Sequence, residues 1–157
     1  MKINSKNLII KIAIPLIVGG VAAFFTRDAM AQFETMNQPP LSPPSWLFPV
    51  VWTILYILMG VSSYLIAESG ADEAAIAEAQ KIYYFQLLLN FLWPILFFDF
   101  GWYLFAFVEL VILWFAVLTM IRRFADISKT AAYLNIPYLI WLTFAAYLNL
   151  GVWWLNR

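Results

Sequence analysis

Residues 46–67 read WLFPVVWTILYILMGVSSYLIA, a run without a single charged side chain. A helix needs about 20 mostly apolar residues to cross the hydrocarbon core of a bilayer, and this run supplies them. Its apolar residues follow one another instead of alternating with polar ones, which favours a helix over a barrel strand. Comparable runs lie on both sides, at about 8–25, 81–98, 102–121 and 131–154. The chain therefore reads as an all-α integral membrane protein, a five-transmembrane-helix bundle forming one membrane domain over residues 1–157. Composition points the same way: 64% of residues are hydrophobic, 11% are charged and the mean hydropathy is +0.82. Soluble domains carry about a quarter charged residues. A chain of this length in water would leave far more apolar surface exposed than its interior could hide. The lipid bilayer is the first partner implied.

The first span has two readings. Lys2, Lys6 and Lys11 precede the apolar run, and Ala29-Met30-Ala31 resembles a signal-peptidase site, so a cleaved secretion signal is one of them. In the other, Lys11 snorkels to the interface and the span is retained. Five spans place the termini on opposite sides. One side then collects Lys2, Lys6, Lys11, Lys81, Arg122, Arg123 and Lys129, and the other only Arg27 and Arg157. The excess of basic residues predicts a cytoplasmic N-terminus and an outside C-terminus. The connection at 26–45 carries Pro39, Pro40, Pro43 and Pro44. Proline fixes φ and disfavours helix in the residue before it, which predicts a stiff, extended lid loop.

Several chemistries are excluded. With no cysteine and no histidine, the chain lacks disulfides, thiolate metal sites and the common nitrogen ligand of zinc or haem iron. No metal site and no obligatory cofactor are expected. A formal net charge of zero gives no basic field for nucleic acid. What remains is eight Trp, eight Tyr, fourteen Phe, a few amides and very few carboxylates.

Polar groups inside a membrane should face the bundle interior or water. Gln86, Asn90, Trp93 and Phe97 share one face of the third span, because residues three and four apart are neighbours on a helix. Trp141, Ala145 and Asn149 form a stripe on the fifth span, and Trp52, Tyr56 and Gly60 form one on the second. One reading is cross-helix hydrogen-bonding glue with small residues at close approaches. The other is an aromatic ligand pocket with a central amide. Pro94 and Pro137 interrupt the third and fifth spans, and the resulting kinks open space between helices. Glu109 is the one carboxylate well inside a span, either a functional acid or a protonated or hydrogen-bonded acid near the interface, within reach of a helix-end base. Trp46, Trp102, Trp153 and Trp154 lie near span ends and fit an interfacial belt.

These residues resemble a known family. Pro43-Pro44-Ser45-Trp46, Trp52, Leu55-Tyr56, Met59-Gly60 and Ser63-Tyr64-Leu65 are similar to the second helix of the tryptophan-rich sensory protein, or translocator protein, family. Gln86-Leu87, Leu89-Asn90, Trp93-Pro94 and Phe97-Phe98 are similar to its third helix, and Glu109 to its fourth-helix acid. Pro137-Tyr138-Leu139, Trp141-Leu142, Phe144, Leu148-Asn149, Val152-Trp153 and Asn156 are similar to its fifth. The similarity runs from about residue 15 to the end. It implies a retained first span, a homodimer in a bacterial cell membrane, and a pocket for protoporphyrin IX, related tetrapyrroles and benzodiazepine-type drugs. It also implies a lid over that pocket formed by the connection between the first two helices.

The ligand-binding residues implied are Trp52, Tyr56, Gln86, Asn90, Trp93, Trp141 and Ala145, with Pro44 and Phe48 at the start of the second span. The resemblance further implies that Trp52 and Trp141 would be the catalytic pair if the protein promotes light-dependent oxidation of the porphyrin. The sequence departs from the family in the lid: Pro39-Pro40-Leu41 lacks the usual tryptophan, and Gln32-Phe33 stands where Trp-Tyr is common. Tyr147 is followed by no basic residue until Arg157, so the cholesterol motif of animal members is not expected. A transporter, or a stress sensor acting without catalysis, would need the same pocket.

Overall fold

The computed structural model describes residues 2–157 and contains five helical units long and apolar enough to cross a membrane. Helix α1 is Ser5–Phe33, α2 is Leu47–Ala67, α3 is Glu73–Pro94 and α4 is Tyr103–Ile127. The third unit continues beyond α3 as a π turn, Ile95–Asp99. The last unit is divided into a short helix α5, Lys129–Tyr133, and α6, Ile136–Leu155.

Three boundaries differ from the sequence reading, each for a physical reason. Helix α1 runs on to Phe33, so residues 26–33 are helical and the extended connection begins only at Glu34. Arg27 and Asp28 look like a loop, but a helix leaving the hydrocarbon core keeps its own backbone bonds and tolerates charge in the interface. Helix α3 begins at Glu73, eight residues before the expected start at 81. Its first turns are rich in Ala, Glu and Gln, good helix formers that hydropathy alone passes over. Helix α4 likewise extends through Arg122 and Arg123 to Ile127.

The two prolines singled out by sequence do different things. Pro94 has no N–H for the Asn90 carbonyl, and its ring crowds that carbonyl. The backbone relaxes into the wider turn, where Phe100 N–H bonds to Ile95 O at 3.1 Å. Pro137 lies in the first turn of α6, where an N–H is not needed. The break just before it, at Leu134 and Asn135, is bridged by Asn135 Nδ2, which donates to the Ala131 carbonyl at 3.0 Å.

Helices α1 and α2 approach most closely at Gly60. A Cβ there would stand 2.4 Å from the Ile12 Cα and 2.7 Å from the Lys11 carbonyl oxygen. That carbonyl is the one left free by Pro15, which sits inside α1. The same end of the bundle is tied by side chains. Gln80 and Ser63 exchange two bonds of 2.9 Å between α3 and α2. Ser62 donates to the Ala131 carbonyl at 2.8 Å and accepts from Asn135 Nδ2 at 2.6 Å. Between these ties Met59, Ile66, Tyr83, Val117, Met120 and Phe124 are almost wholly buried in one continuous apolar cluster.

The opposite end carries the proline strap, 34–46. It is docked rather than loose. Asn37 and Asn156 exchange backbone-to-amide bonds of 3.2 and 2.7 Å. Tyr147 donates its hydroxyl to the Pro40 carbonyl at 2.7 Å, and Pro39 packs against Gly151, where a Cβ would stand 2.6 Å away. Leu41 turns the strap with φ at 67°, a left-handed conformation that a branched side chain adopts at a cost of about 1–2 kcal/mol.

Candidate functional site

The strap-end half of the bundle encloses a cavity of about 490 Å³. Helix α2 supplies Phe48, Trp52 and Tyr56, and α3 supplies Asn90, Trp93 and Pro94. Phe97 and Phe98 come from the π turn, and Trp141, Ala145, Leu148 and Asn149 from α6. The rings of Trp52, Trp93 and Trp141 thus meet on one interior space instead of facing acyl chains. Trp52 stacks on Tyr56 with centroids 5.5 Å apart, Trp93 stacks on Phe97 at 5.1 Å, and Phe48 meets Trp141 edge-on at 5.9 Å. Offset and edge-on pairs of this kind hold rings in fixed orientations.

The floor of the cavity is a hydrogen-bonded chain across three helices. Tyr56 donates its hydroxyl to Asn90 Oδ1 at 2.8 Å. Asn90 Nδ2 donates to the Tyr138 hydroxyl at 2.7 Å, and Tyr138 donates to Gln86 Oε1 at 2.8 Å. Asn90 therefore engages both its oxygen and its nitrogen on protein, with one lone pair and one N–H unspent. Gln86 is fully buried behind this chain and does not line the cavity. Pro44 does not line it either. It lies exposed in the strap, and its carbonyl accepts from Leu47 N–H at 3.0 Å where α2 begins.

Asn149 lines the wall with its amide already occupied. It accepts from Trp93 Nε1 at 2.9 Å and donates to the Tyr103 carbonyl at 2.7 Å. This bond fixes the Trp93 indole and consumes its only donor. Trp141 is different. Its Nε1 is buried with no partner, and it is the one such buried atom on a cavity-lining side chain among the described residues. A buried N–H left unmade costs about 1–3 kcal/mol. Glu109 stands apart from the lining, buried on α4 with both carboxyl oxygens unpartnered. Among the described residues no base pairs with it.

Two contributions escaped the sequence reading. Helix α1 forms a wall, through Leu16, Gly19, Gly20, Ala23, Thr26, Met30 and Phe33. Gly19 makes room for the Tyr56 ring, which a Cβ would strike at 2.1 Å, whereas a Cβ on Gly20 would meet nothing. The clustered small residues 19, 20, 22 and 23 were the available signal. Trp46, assigned to the interfacial belt, is 65% exposed and also lines the mouth. The middle of the strap, including Pro39 and Leu41, lies off the cavity; Glu34 and Ser45, at its two ends, reach it.

Comparison with known proteins agrees with this architecture. The chain is 39% identical over 152 residues to the tryptophan-rich protein TspO of Chlorobaculum tepidum, covering 96% of each chain. It is 36% identical over 154 residues to that of Archaeoglobus fulgidus, covering 98% of this chain and 99% of the other. The translocator protein of Ovis aries is 37% identical over 138 residues, 85% of this chain and 80% of its own. The model of the TspO/MBR family matches residues 11–155. A five-span membrane bundle matched along nearly its whole length by that model and by these relatives belongs to the TspO/MBR family.

Proposed function

We propose that this membrane receptor-like protein holds a flat apolar ligand in the strap-end cavity, with a metal-free porphyrin such as protoporphyrin IX as the leading guest. The observation that carries this reading is a walled space of about 490 Å³ lined by the rings of Trp52, Trp93, Trp141, Phe48 and Phe97. That volume lies in the range of pockets that bury small molecules, and the lining is apolar with few fixed polar groups, as such pockets are. Ring burial supplies affinity, and the fixed indole and phenyl faces supply an orientation for a flat guest. Ala145 keeps the wall flat. Gln86 and Pro44 act indirectly, through Tyr138 and through the start of α2. The absence of histidine and cysteine leaves an iron porphyrin without its common axial ligands, so a metal-free ring suits the site better.

The same geometry accommodates photochemistry. A light-excited porphyrin in this cavity lies among oxidisable indoles: one electron would pass from Trp52 or Trp141 to the excited ring and on to dioxygen, the indole radical would regain its electron from the ring, and the resulting porphyrin radical cation and superoxide would combine to give the oxidised porphyrin. Transport or sensing without turnover would use the cavity unchanged. The excess of basic residues at the end bearing Lys2, Lys6 and Lys11 supports a cytoplasmic N-terminus in a cell membrane. Assembly as a homodimer is carried over from the family.

Fluorescence titration of protoporphyrin IX against the purified protein in detergent tests the reading. Saturable one-to-one binding, weakened several-fold in Trp141→Phe, is expected. Light-driven loss of porphyrin fluorescence that slows in Trp52→Phe or Trp141→Phe supports the photochemical step. Stable fluorescence under light with binding intact favours transport or sensing. No saturable binding contradicts the proposal.

A further inference from the structure

Only one charged side chain lines the cavity among the described residues, and it is an acid. Glu34 stands at the C-terminal cap of α1, exposed at the mouth, and no Lys or Arg shares the lining. Its carboxylate has no hydrogen-bond or ion-pair partner among the described residues. The other charged side chains of this end are turned to different tasks. Arg27 lies over the Phe24 ring at 4.4 Å and 4.0 Å from Asp28, on the exposed side of α1. Arg157 stacks on Trp154 at 3.6 Å. Asp99 is exposed and lies off the lining. Two helix ends also face the mouth, the carboxyl end of α1 and the amino end of α2. Their dipoles amount to about half a charge each and are opposite in sign, so they nearly cancel. Glu34 sets the sign of the mouth.

We infer that Glu34 makes the cavity select by charge, taking flat apolar ligands whose mouth-facing edge is neutral or cationic in preference to those presenting a carboxylate there. The inference rests on the reading that the cavity holds a flat apolar guest. It narrows that reading, because a porphyrin carrying free carboxylates would pay a repulsion that its esterified or amine-bearing counterparts avoid. Two like charges about 8 Å apart in a well-hydrated mouth change affinity roughly two- to threefold, and salt reduces the effect.

The test uses two acid and ester pairs on the full chain in neutral detergent at pH 7. One pair is protoporphyrin IX and its dimethyl ester; the other is 1-pyrenebutyric acid and its methyl ester. Each titration is corrected for partition into protein-free micelles. In the wild type each ester is expected to bind two- to threefold tighter than its acid, with the gap closing in high salt. In Glu34→Gln the acids should tighten while the esters keep their affinities, which also shows that the fold is intact. In Glu34→Lys the preference should reverse. An acid-to-ester ratio that is the same in all three proteins overturns the inference and leaves the flat-ligand reading standing. Charge discrimination within the pyrene pair, with no porphyrin bound, supports the inference and removes the porphyrin reading. Failure of all four probes to bind overturns both.

Discussion

The two halves of this bundle are built from the same helices and differ in what fills them. Toward the N-terminal end, Gly60 lets α1 and α2 touch, and Met59, Met120, Val117 and Phe124 fill the interior, each with no exposed surface. Toward the strap end large rings line the space without filling it. The Tyr56–Asn90–Tyr138–Gln86 chain is the partition between them. In lipid no hydrophobic drive holds helices together, so close packing and cross-helix bonds must do so. One half meets that need, which allows the other to remain hollow.

The contrast can be broken most severely at Gly60. Gly60→Val would push side-chain atoms into the α1 backbone and is expected to cost about 3 kcal/mol, at the upper end of overpacking effects. Thermal unfolding in detergent would show it as a large drop in Tm. Asn90→Leu should follow, at about 1–2 kcal/mol, because two cross-helix bonds are lost and the Tyr56 hydroxyl is left buried without its acceptor. The same variant should weaken ligand binding, since the floor of the cavity is no longer fixed. Trp141→Phe sharpens the contrast from the hollow side. It removes one unmade donor and no protein bond, so stability should hold within about 0.5 kcal/mol while porphyrin affinity falls about fivefold, because part of the ring surface that lines the cavity is lost. Gly20→Ala should be the one variant that does not destabilise. Its new methyl meets open space, and helix propensity should raise stability by up to about 1 kcal/mol.

Much of this was legible in the sequence. The uncharged run 46–67 and its four counterparts announce five spans, and the stripes Trp52–Tyr56, Asn90–Trp93 and Trp141–Ala145 lie on the faces that converge. Hydropathy could not show where the helices end, because residues 26–33, 73–80 and 122–127 are polar helix outside the hydrocarbon core. The wall formed by α1 was hidden for another reason. Gly19, Gly20 and Ala23 bring space rather than chemistry, and space has no sequence pattern of its own. The fates of the amides were also not readable. Asn90, Asn149 and Gln86 look alike as intramembrane polar residues, yet one forms the floor, one holds Trp93 and one lies behind Tyr138. Long-range pairing decides among such roles, as it does for Asn37 with Asn156 at the strap.

The central claim is that the strap-end space, and no other part of the chain, receives the ligand. Ala145→Trp places an indole in that space from the wall of α6, at the edge of the buried cluster. Protoporphyrin IX titrated against this variant and the wild type in detergent gives the direct test. A saturable isotherm in the wild type that weakens tenfold or more in Ala145→Trp, with Tm preserved, is the predicted result. Superimposable isotherms from the two proteins would contradict the account.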